Sequence, residues 1–596
     1  METPRPEYPR PQFVREDWLC LNGEWQFEID PGDSGLERGL LQRELRERIS
    51  VPFCPESALS GVQHSDFMQA VWYRKLVTLP QGWAGRRVLL HFQAVDYDAT
   101  VWVNGQEVGR HRGGFSPFSC DLHGVAAPGE CATIVLRARD DPRGLQPRGK
   151  QSQEFGNHGC MYTRTTGIWQ SVWLEPVPEV ALKRPRLTPN LAAGSLRLDQ
   201  ALTRNAPGTQ LRATLSDQSG IVCSVTCAAD ADLSPSLTLE IPRDRRRCWS
   251  VDDPHLYDVS IELLDSFGKV IDRAKSYAGL RSVTLDGPVI KINGTPLFQR
   301  LVLDQGYYPN GILTAPSDEA LVADIRLSQA AGFNGARLHQ KVFEERFLYH
   351  ADRMGYLVWG EFADWGCRRR DAIGKHEVLP GPSYLTEWLE VLERDYSHPC
   401  IVGWCPLNET SQPLDDRIQV LDTVTRGMFL ATKAMDATRP VLDASGYSHR
   451  VPETDVYDCH DYEQDPAKFK ARQAALAAGR PYLNGPAEQP WNVPYRGQPF
   501  FVSEFGGIWW NPEAKPGEDS WGYGERVKTL DEFYARFEGL CAVLLENPLM
   551  FGYCYTQLTD VYQEQNGIYT FDRHTKFDLK RIAAAQRKAA AIERTR

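Results

Sequence analysis

Two short stretches, WCPLNE at residues 404–409 and FVSEFGG at 501–507, are the most informative part of this chain. Each places a glutamate, Glu409 or Glu504, at the end of an apolar run that is typical of a buried strand. The two glutamates lie 95 positions apart (504 minus 409), with strand-like and helix-like patterns between them. Two carboxylates presented by different strands are what retaining glycoside hydrolysis requires, because one protonates the leaving oxygen while the other attacks the sugar carbon.

Composition limits the number of domains and the kinds of partner. A chain of 596 residues is too long for a single core, so about two to four domains are expected. The formal net charge of −11 and the isoelectric point of about 5.7 argue against nucleic acid or an anionic membrane as a partner. The 14 cysteines include no CxxC pair, which indicates free thiols in a reducing compartment.

The sequence carries no visible targeting or membrane-spanning segment. Its first residues lack the apolar stretch of a signal peptide, and nowhere does it hold the run of about 18 apolar residues that a spanning helix needs. It therefore predicts a cytoplasmic protein, although a chain whose signal peptide had been removed would look the same.

Short strands without helices dominate the first half of the chain. Residues 1–177 contain several of them, together with the hairpin signal Asn104-Gly105, and are predicted to form a β jelly roll. Residues 178–282 alternate apolar and polar positions with period two, which favours an immunoglobulin-like β-sandwich of about 100 residues.

From residue 283 to 596 the pattern changes to strands that alternate with helices. The predicted strands are 296–303, 335–339, 357–361, 401–407, 441–443, 456–460, 500–504 and 551–557. The predicted helices include 317–331, 343–354, 384–395, 415–435 and 530–545. This alternation predicts a (β/α)8 TIM barrel, in which chemistry collects at the C-terminal ends of the strands. Glu409 and Glu504 fall at such ends, on the fourth and seventh strands.

Taken together, these motifs resemble glycoside hydrolase family 2, the family of β-galactosidases, β-glucuronidases and β-mannosidases. Besides the two glutamate motifs, the resemblance rests on LNGEW at 21–25, WVNG at 102–105, TGIWQSVWL at 166–174, WSVDDPHLY at 249–257, INGTP at 292–296 and FNGAR at 333–337. It covers nearly the whole length. The family's domain order, a sugar-binding jelly roll, an immunoglobulin-like domain and a barrel, is the order predicted above.

The resemblance implies roles for the two glutamates. Glu409, which follows Asn408, would be the general acid/base and Glu504 the nucleophile of a double displacement with net retention. The two carboxylates should then lie about 5–5.5 Å apart. The family also implies a carbohydrate substrate, and we predict no cofactor and no metal. Its members often form dimers or tetramers, so a homo-oligomer is possible.

Several residues near the two glutamates are predicted to hold the sugar or the nucleophile. Asn408 is expected to bond the 2-hydroxyl, and Arg337 to keep Glu504 ionised, as the family's barrels place an arginine there. His339 follows two positions later and faces the same side. His460 and Tyr462 close the sixth strand, where a tyrosine can donate its hydroxyl to the nucleophile.

The remaining candidates are rim residues with weaker signals. The candidate sugar ligands on the rim are Glu361, Asp304, Trp509, Trp521, Tyr555 and Asn566. For each of them a structural role is the competing interpretation. The jelly-roll loops 141–151 and 159–166 are hypothesised to cover the barrel mouth and to limit the site to chain ends.

Departures from the family pattern bear on the sugar. The β-galactosidases usually carry Asn-x-His-Glu after the first strand, where this chain has LDQGYY at 303–308. The β-glucuronidases place Asn-x-Lys near the C-terminus to hold the uronate carboxylate, but Asn566 is followed by Gly567 and Ile568. A neutral sugar is therefore predicted, with β-galactosidase-like activity ranked first. A β-glucuronidase, or an enzyme for a pentose or galactofuranose, remains an alternative.

Two interpretations of another class stay open. A degenerate barrel would make this chain a carbohydrate-binding protein without turnover. A metal-dependent hydrolase has no support from spacing, because the 13 histidines are dispersed and no His-Glu-x-x-His occurs.

Overall fold

The computed structural model describes residues 3–370, 376–485, 490–514 and 519–594. In the N-terminal part, twelve strands are β1 Leu19–Cys20, β2 Gly23–Asp30, β3 Glu47–Val51, β4 Ala70–Thr78, β5 Arg87–Phe92, β6 Val95–Asp96, β7 Asp98–Val103, β8 Gln106–Arg112, β9 Phe118–Asp121, β10 Cys131–Arg139, β11 Gly167–Ile168 and β12 Val172–Val177. A six-stranded sheet in the order β3-β2-β4-β10-β7-β8 faces a four-stranded sheet in the order β1-β12-β5-β9. Their inner faces enclose one apolar core, as expected for a jelly roll.

The predicted hairpin at Asn104-Gly105 joins β7 to β8. Both residues adopt left-handed backbone conformations, with φ of 51° and 79°. Two successive residues with positive φ match the right-handed twist of the flanking strands, which is why Asn-Gly favours this turn.

A second β-sandwich follows. Its strands are β13 Leu182–Asn190, β14 Ser195–Leu202, β15 Gln210–Asp217, β16 Gly220–Ala228, β17 Ser236–Glu240, β18 Tyr257–Leu264 and β19 Val270–Ala278. The sheets β13-β14-β17 and β16-β15-β18-β19 pack around a separate core that includes Leu198, Leu211 and Ile261. The alternation of buried and exposed residues along β15 is the period-two pattern predicted from its sequence.

The last part holds the parallel sheet and, within the described residues, all seven α-helices. Its strands are β20 Val283–Asp286, β21 Val289–Ile292, β22 Thr295–Pro296, β23 Gln299–Asp304, β24 Gly335–Leu338, β25 Leu357–Glu361, β26 Arg368–Arg370, β27 His376–Val378, β28 Ile401–Cys405, β29 Tyr457–Asp461, β30 Phe500–Gly506 and β31 Met550–Thr556. Its helices are α1 Asp318–Ala330, α2 Glu345–Met354, α3 Pro382–Asp395, α4 Val420–Met435, α5 Pro466–Gln473, α6 Leu530–Leu545 and α7 Leu579–Gln586.

Seven parallel strands curl in the order β28-β25-β24-β23-β31-β30-β29. The predicted fifth strand, 441–443, is not a regular strand, but its segment runs parallel to β28 through bridges from Trp404 to Val441 and from Asn408 to Ser445. Within this segment the Asp443 carboxylate accepts the backbone N–H groups of Arg450 and Val451. The jelly roll, the immunoglobulin-like sandwich and the TIM barrel are thereby confirmed. The limits 1–177, 178–282 and 283–596 stay predictions.

Within the described residues, every helix is too short or too polar to cross a lipid bilayer.

Two glycines and two tryptophans lock β25 against β28. Trp359 pairs with Gly403, and Gly360 pairs with Trp404. A Cβ on Gly403 would stand 2.6 Å from the Trp359 ring, and one on Gly360 would stand 2.6 Å from the Trp404 ring. Trp359 fills the barrel interior, where it stacks on Phe501.

Gly403→Ala is expected to lower the thermal unfolding midpoint, because overpacking a rigid core costs about 1–3 kcal/mol. Gly427→Ala is the control: Gly427 lies in α4 with no atom near its Cβ position, so alanine should be neutral or stabilise the helix by up to about 1 kcal/mol. Equal midpoints for the two variants in a thermal melt would contradict this packing account.

Candidate active site

The C-terminal ends of four strands bring the predicted catalytic residues together. Arg337 comes from β24, His460 from β29 and Glu504 from β30. Glu409 lies four residues beyond the end of β28. Its backbone φ of 49° is unusual for a glutamate, and its N–H donates to Ser445 O at 3.0 Å. Strained conformations of this kind persist where the surroundings fix them, often at functional sites.

The two glutamates share a histidine neighbour. The Nδ1 atom of His460 lies 2.6 Å from Glu409 Oε1 and 3.4 Å from Glu504 Oε2. One carboxylate oxygen from each glutamate and a ring nitrogen of His460 all lie within 4.8 Å of one another. Burial lowers the pKa of His460, but the charges of Glu504 and Glu409 outweigh it and raise the pKa above the ordinary value.

Glu504 is held by two donors. Arg337 Nη2 donates to Oε1, and the Tyr462 hydroxyl donates to Oε2 at 2.5 Å. Burial raises the pKa of Glu504, but the charges of His460 and Arg337 prevail and the net shift is downward. Glu504 is therefore an ionised carboxylate at neutral pH although only 4% of its surface is exposed.

Asn408 is oriented by the same arginine. Arg337 Nη2 donates to Asn408 Oδ1 at 3.1 Å, and the Asn408 N–H donates to Asp364 Oδ1 at 3.1 Å. The acceptor role of Oδ1 leaves Nδ2 as the free end of the amide, and Nδ2 has no hydrogen-bond partner among the described residues. A sugar hydroxyl next to Nδ2 would supply one.

His339 and Glu361 form a layer beside Arg337. His339 Nδ1 lies 3.0 Å from Glu361 Oε1, and Glu361 Oε2 lies 3.1 Å from Arg337 Nε as an ion pair. Burial raises the pKa of Glu361 to about 7, against the opposing charge of Arg337. Burial also drives the pKa of His339 well below its ordinary value, with help from the Lys150 ammonium, so this imidazole is neutral.

Two predicted sugar ligands lie outside the site. Tyr555 pairs with Val302 on the outer face of the barrel and packs against Phe537 of α6, with ring centroids 5.1 Å apart. Asp304 pairs with Leu338, and its carboxylate accepts the Gly306 N–H at 2.9 Å. Alternate residues of a strand face opposite sides, so both side chains point away from the interior face that carries Arg337. The structure therefore does not bring these two side chains together with the glutamates.

The three other rim candidates lie in the loops after β30 and β31. Trp521 Nε1 donates to Gly159 O at 2.8 Å, while Trp509 Nε1 donates to Ser520 Oγ at 3.3 Å. Asn566 accepts from Gln557 Nε2 at 2.8 Å. Trp521 and Asn566 therefore belong to the rim, whereas Trp509, among the described residues, makes no hydrogen bond to either glutamate.

Sequence reasoning missed Thr556, Tyr523 and Lys150 at the barrel mouth, whereas Glu564 is predicted from the sequence as a hydroxyl-binding group. Thr556 Oγ1 lies 3.0 Å from the Tyr462 hydroxyl, and the Tyr523 ring stacks on that of Tyr462 with centroids 3.3 Å apart. Lys150 and Glu564 face each other, with Nζ and Oε2 3.9 Å apart. The long jelly-roll loops indicated that this part of the chain covers the barrel mouth, but no local sequence pattern singled out Lys150.

Among the residues that the structure describes, two groups could hold a metal ion by their spacing. One is Glu409, His460 and Glu504 themselves, and the other is Asp352, His398 and Cys400, all buried. In the second group, His398 Nδ1 lies 2.6 Å from Asp352 Oδ2, and Tyr277 also donates to that carboxylate. These contacts explain the second group as a hydrogen-bond network.

Comparison with known proteins agrees with the fold. Residues 19–175 match the family model for the sugar-binding domain of glycosyl hydrolases family 2. Residues 180–281 match a second model, glycosyl hydrolases family 2. A β-glucuronidase of Paenibacillus borealis is 26% identical over 474 residues, 73% of this chain and 74% of that protein. A β-galactosidase of Thermoanaerobacter pseudethanolicus is 27% identical over 418 residues, 67% of this chain and 51% of that protein.

The solved structures show the same fold. The crystal structure of the Ruminococcus gnavus β-glucuronidase superposes with a TM-score of 0.79 at 19% identity, over 98% of this chain and 99% of that one. A jelly roll, an immunoglobulin-like sandwich and a barrel with these domain models define the protein as a glycoside hydrolase. The chain belongs to glycoside hydrolase family 2.

Tyr462→Phe is expected to lower kcat about 10- to 100-fold, because Glu504 loses a hydrogen bond to a charged oxygen, an interaction of about 1.5–3 kcal/mol. Tyr555→Phe is the matched control: its buried hydroxyl has no partner in the described part of the chain, so kcat should stay within twofold. Steady-state kinetics on an aryl glycoside would check both. A large loss in Tyr555→Phe would contradict the assignment of that residue to the outer face.

Proposed function

We propose that this glycoside hydrolase removes a terminal sugar with retention of configuration, with Glu504 as the nucleophile and Glu409 as the acid/base. One observation carries the proposal: carboxylate oxygens of the two glutamates lie within 4.8 Å of each other. Retaining enzymes hold the carboxyl groups about 5–5.5 Å apart, whereas inverting enzymes need about 6.5–9.5 Å for a water molecule.

In the first step, a Glu504 oxygen forms a bond to the anomeric carbon. The bond between that carbon and the glycosidic oxygen breaks, and its electron pair stays on the oxygen, which takes a proton from Glu409. Arg337 and Tyr462 hold the Glu504 carboxylate in place and ionised. The free Nδ2 of Asn408 is positioned for the 2-hydroxyl, a contact that strengthens in the transition state of glycosidases.

The proton of the first step resides on the pair formed by Glu409 and His460. Burial raises the pKa of Glu409, but the hydrogen bond and charge of His460 outweigh burial and shift it downward. The opposite shifts of these two groups, 2.6 Å apart, mean that the pair holds one proton jointly. Because the pKa of His460 is raised, the pair keeps that proton to a higher pH than a free histidine would.

The second step reverses the roles. Once Glu504 is an ester, its negative charge is gone, and the pair of Glu409 and His460 loses a neighbour that had favoured its proton. Glu409 is then the base that takes a proton from water as the water oxygen attacks the anomeric carbon. The ester bond breaks, and its electron pair returns to Glu504.

The identity of the sugar is a separate part of the proposal. The relatives carry both names, β-glucuronidase and β-galactosidase, so they do not favour a galactosidase over a glucuronidase. We propose a neutral sugar on grounds of charge. Glu409, Glu504 and Glu564 border the mouth of the barrel, and a uronate would add a further carboxylate at close range.

Product stereochemistry tests the retaining mechanism. Aryl β-galactoside, β-glucoside, β-glucuronide and α-L-arabinopyranoside are supplied to the wild type, to Glu504→Gln and to Glu409→Gln. For the substrate that is cleaved, the first sugar released should keep its anomeric configuration by NMR, and Glu504→Gln should lose at least 10³-fold in kcat, as is typical when a nucleophile is removed.

Four results would contradict the proposal. An inverted first product would exclude the double displacement. Full activity in Glu504→Gln would exclude this nucleophile. Loss of wild-type activity in chelator would favour a metal held by Glu409, His460 and Glu504. Binding of a sugar by the wild type without turnover of any substrate would favour a carbohydrate-binding protein.

A further inference from the structure

Two segments of the jelly-roll domain are bonded to the barrel rim. The Arg148 N–H donates to Trp365 O at 2.8 Å, and the Gly149 N–H donates to Ala363 O at 3.1 Å. Further along the chain, Gly159 O accepts from both Gln563 Nε2, at 2.7 Å, and Trp521 Nε1. The segment 148–162 is therefore anchored at both ends over the mouth of the barrel.

Gly149 allows the closest approach. Its φ is 60°, and a Cβ at this position would stand 2.0 Å from the backbone oxygen of Gln340. Only glycine tolerates both the left-handed conformation and this contact. The next residue, Lys150, is thereby directed at the site from a different domain.

Lys150 is a buried cation with unused hydrogen-bonding capacity. Only 5% of its surface is exposed, and its Nζ lies 5.6 Å from the centre of the Trp365 ring and 5.8 Å from that of Tyr162. Across the described residues, Nζ makes one ion pair, to Glu564 at 3.9 Å, and no hydrogen bond. An ammonium has three donors, so this one has room for a ligand.

The electrostatic surroundings keep Lys150 charged and mark it as part of the site. Burial lowers its pKa, but the charges of Glu564, Glu504 and Glu409 among others raise it above the ordinary value. Trp365, on whose ring Lys150 sits, donates through Nε1 to Asn408 O at 2.8 Å. The Trp365 ring therefore contacts both the Lys150 ammonium and Asn408, the residue proposed to bind the 2-hydroxyl of the sugar.

Both carboxylate oxygens of Glu564 accept hydrogen bonds from other side chains of the protein. Its Oε2 accepts from the Tyr162 hydroxyl and from Gln305 Nε2, and its Oε1 accepts from Asn566 Nδ2 at 3.2 Å. It thus balances the charge of Lys150 without using up the donors of the ammonium. A neutral hydroxyl fits this arrangement, because it can accept from Lys150 without placing a new charge beside Glu564.

We propose that Lys150 is a specificity-determining residue, supplied by the jelly-roll domain, that donates a hydrogen bond to one hydroxyl of the terminal sugar. The Lys150–Glu564 pair then selects neutral sugars over uronates. This inference rests on the proposed function, since it concerns the sugar that is bound next to Glu409 and Glu504. It means that the cation that binds the sugar hydroxyl comes from the jelly-roll domain and not from the barrel.

The test compares wild type and Lys150→Met on the best neutral aryl glycoside and on its 3-deoxy, 4-deoxy and 6-deoxy analogues. Lys150→Met should lower kcat/KM for the parent about 10- to 200-fold, the usual range for a hydrogen bond to a charged group. For one deoxy analogue the two proteins should agree within threefold, because the partner hydroxyl is already absent. Lys468→Met, at an exposed lysine of α5, is the control and should change nothing.

A binding measurement separates this inference from the mechanism. Calorimetry on Glu504→Gln and on Glu504→Gln with Lys150→Met reports affinity for the parent sugar without turnover, and the second variant should bind at least tenfold more weakly. An equal kcat/KM penalty on every deoxy analogue would overturn the inference, since it would indicate a structural role. A wild type that prefers the uronate at least 100-fold, with the preference lost in Lys150→Met, would also overturn it in favour of a carboxylate ligand.

The two proposals fail in different ways. Failure of the retaining mechanism appears as undiminished turnover in Glu504→Gln while the Lys150 penalty on sugar binding persists. Failure of the Lys150 assignment appears as unchanged sugar affinity in the double variant while Glu504→Gln remains inactive.

Discussion

The site is organised around one buried cation, the guanidinium of Arg337, which has no exposed surface. A charge buried this completely is tolerated only when it is paired and hydrogen-bonded. Arg337 contacts the carboxylates of Glu504 and Glu361 and donates to Asn408 and Ser445. These partners come from four different places around the barrel, so a single side chain fixes the positions of the proposed nucleophile Glu504, of the asparagine before the proposed acid/base and of Glu361 beside them.

The architecture explains why a barrel alone does not complete this site. The barrel carries the proposed catalytic residues Glu409, His460 and Glu504, while the jelly-roll domain covers part of the mouth through the anchored segment 148–162 and Lys150. The immunoglobulin-like sandwich lies between these two domains in sequence. Its Tyr277 donates to the buried Asp352 of α2 at 2.8 Å, which ties it to the barrel.

The sequence was sufficient to predict those features of the fold that depend on a local pattern of residues. Apolar runs ending in Glu409 and Glu504 predict strand ends, and Asn104-Gly105 predicts a hairpin, because each depends on neighbouring residues only. The side of the strand on which Asp304 and Tyr555 lie could not be predicted, since it depends on register and on bulges such as the one between Val502 and Phe505. Lys150 and Glu564 meet across more than 400 positions, a contact that no local pattern encodes.

Trapping the covalent intermediate tests the central claim, that Glu504 is the nucleophile held by Arg337. A 2-deoxy-2-fluoro glycoside of the preferred sugar slows the second step, because the fluorine withdraws electrons from the oxocarbenium-like transition state. Peptide mass spectrometry of the inactivated protein should then find the fluorosugar as an ester on Glu504, within the peptide that carries FVSEFGG. A label on any other carboxylate, or time-dependent inactivation without any labelled peptide, would contradict the mechanism.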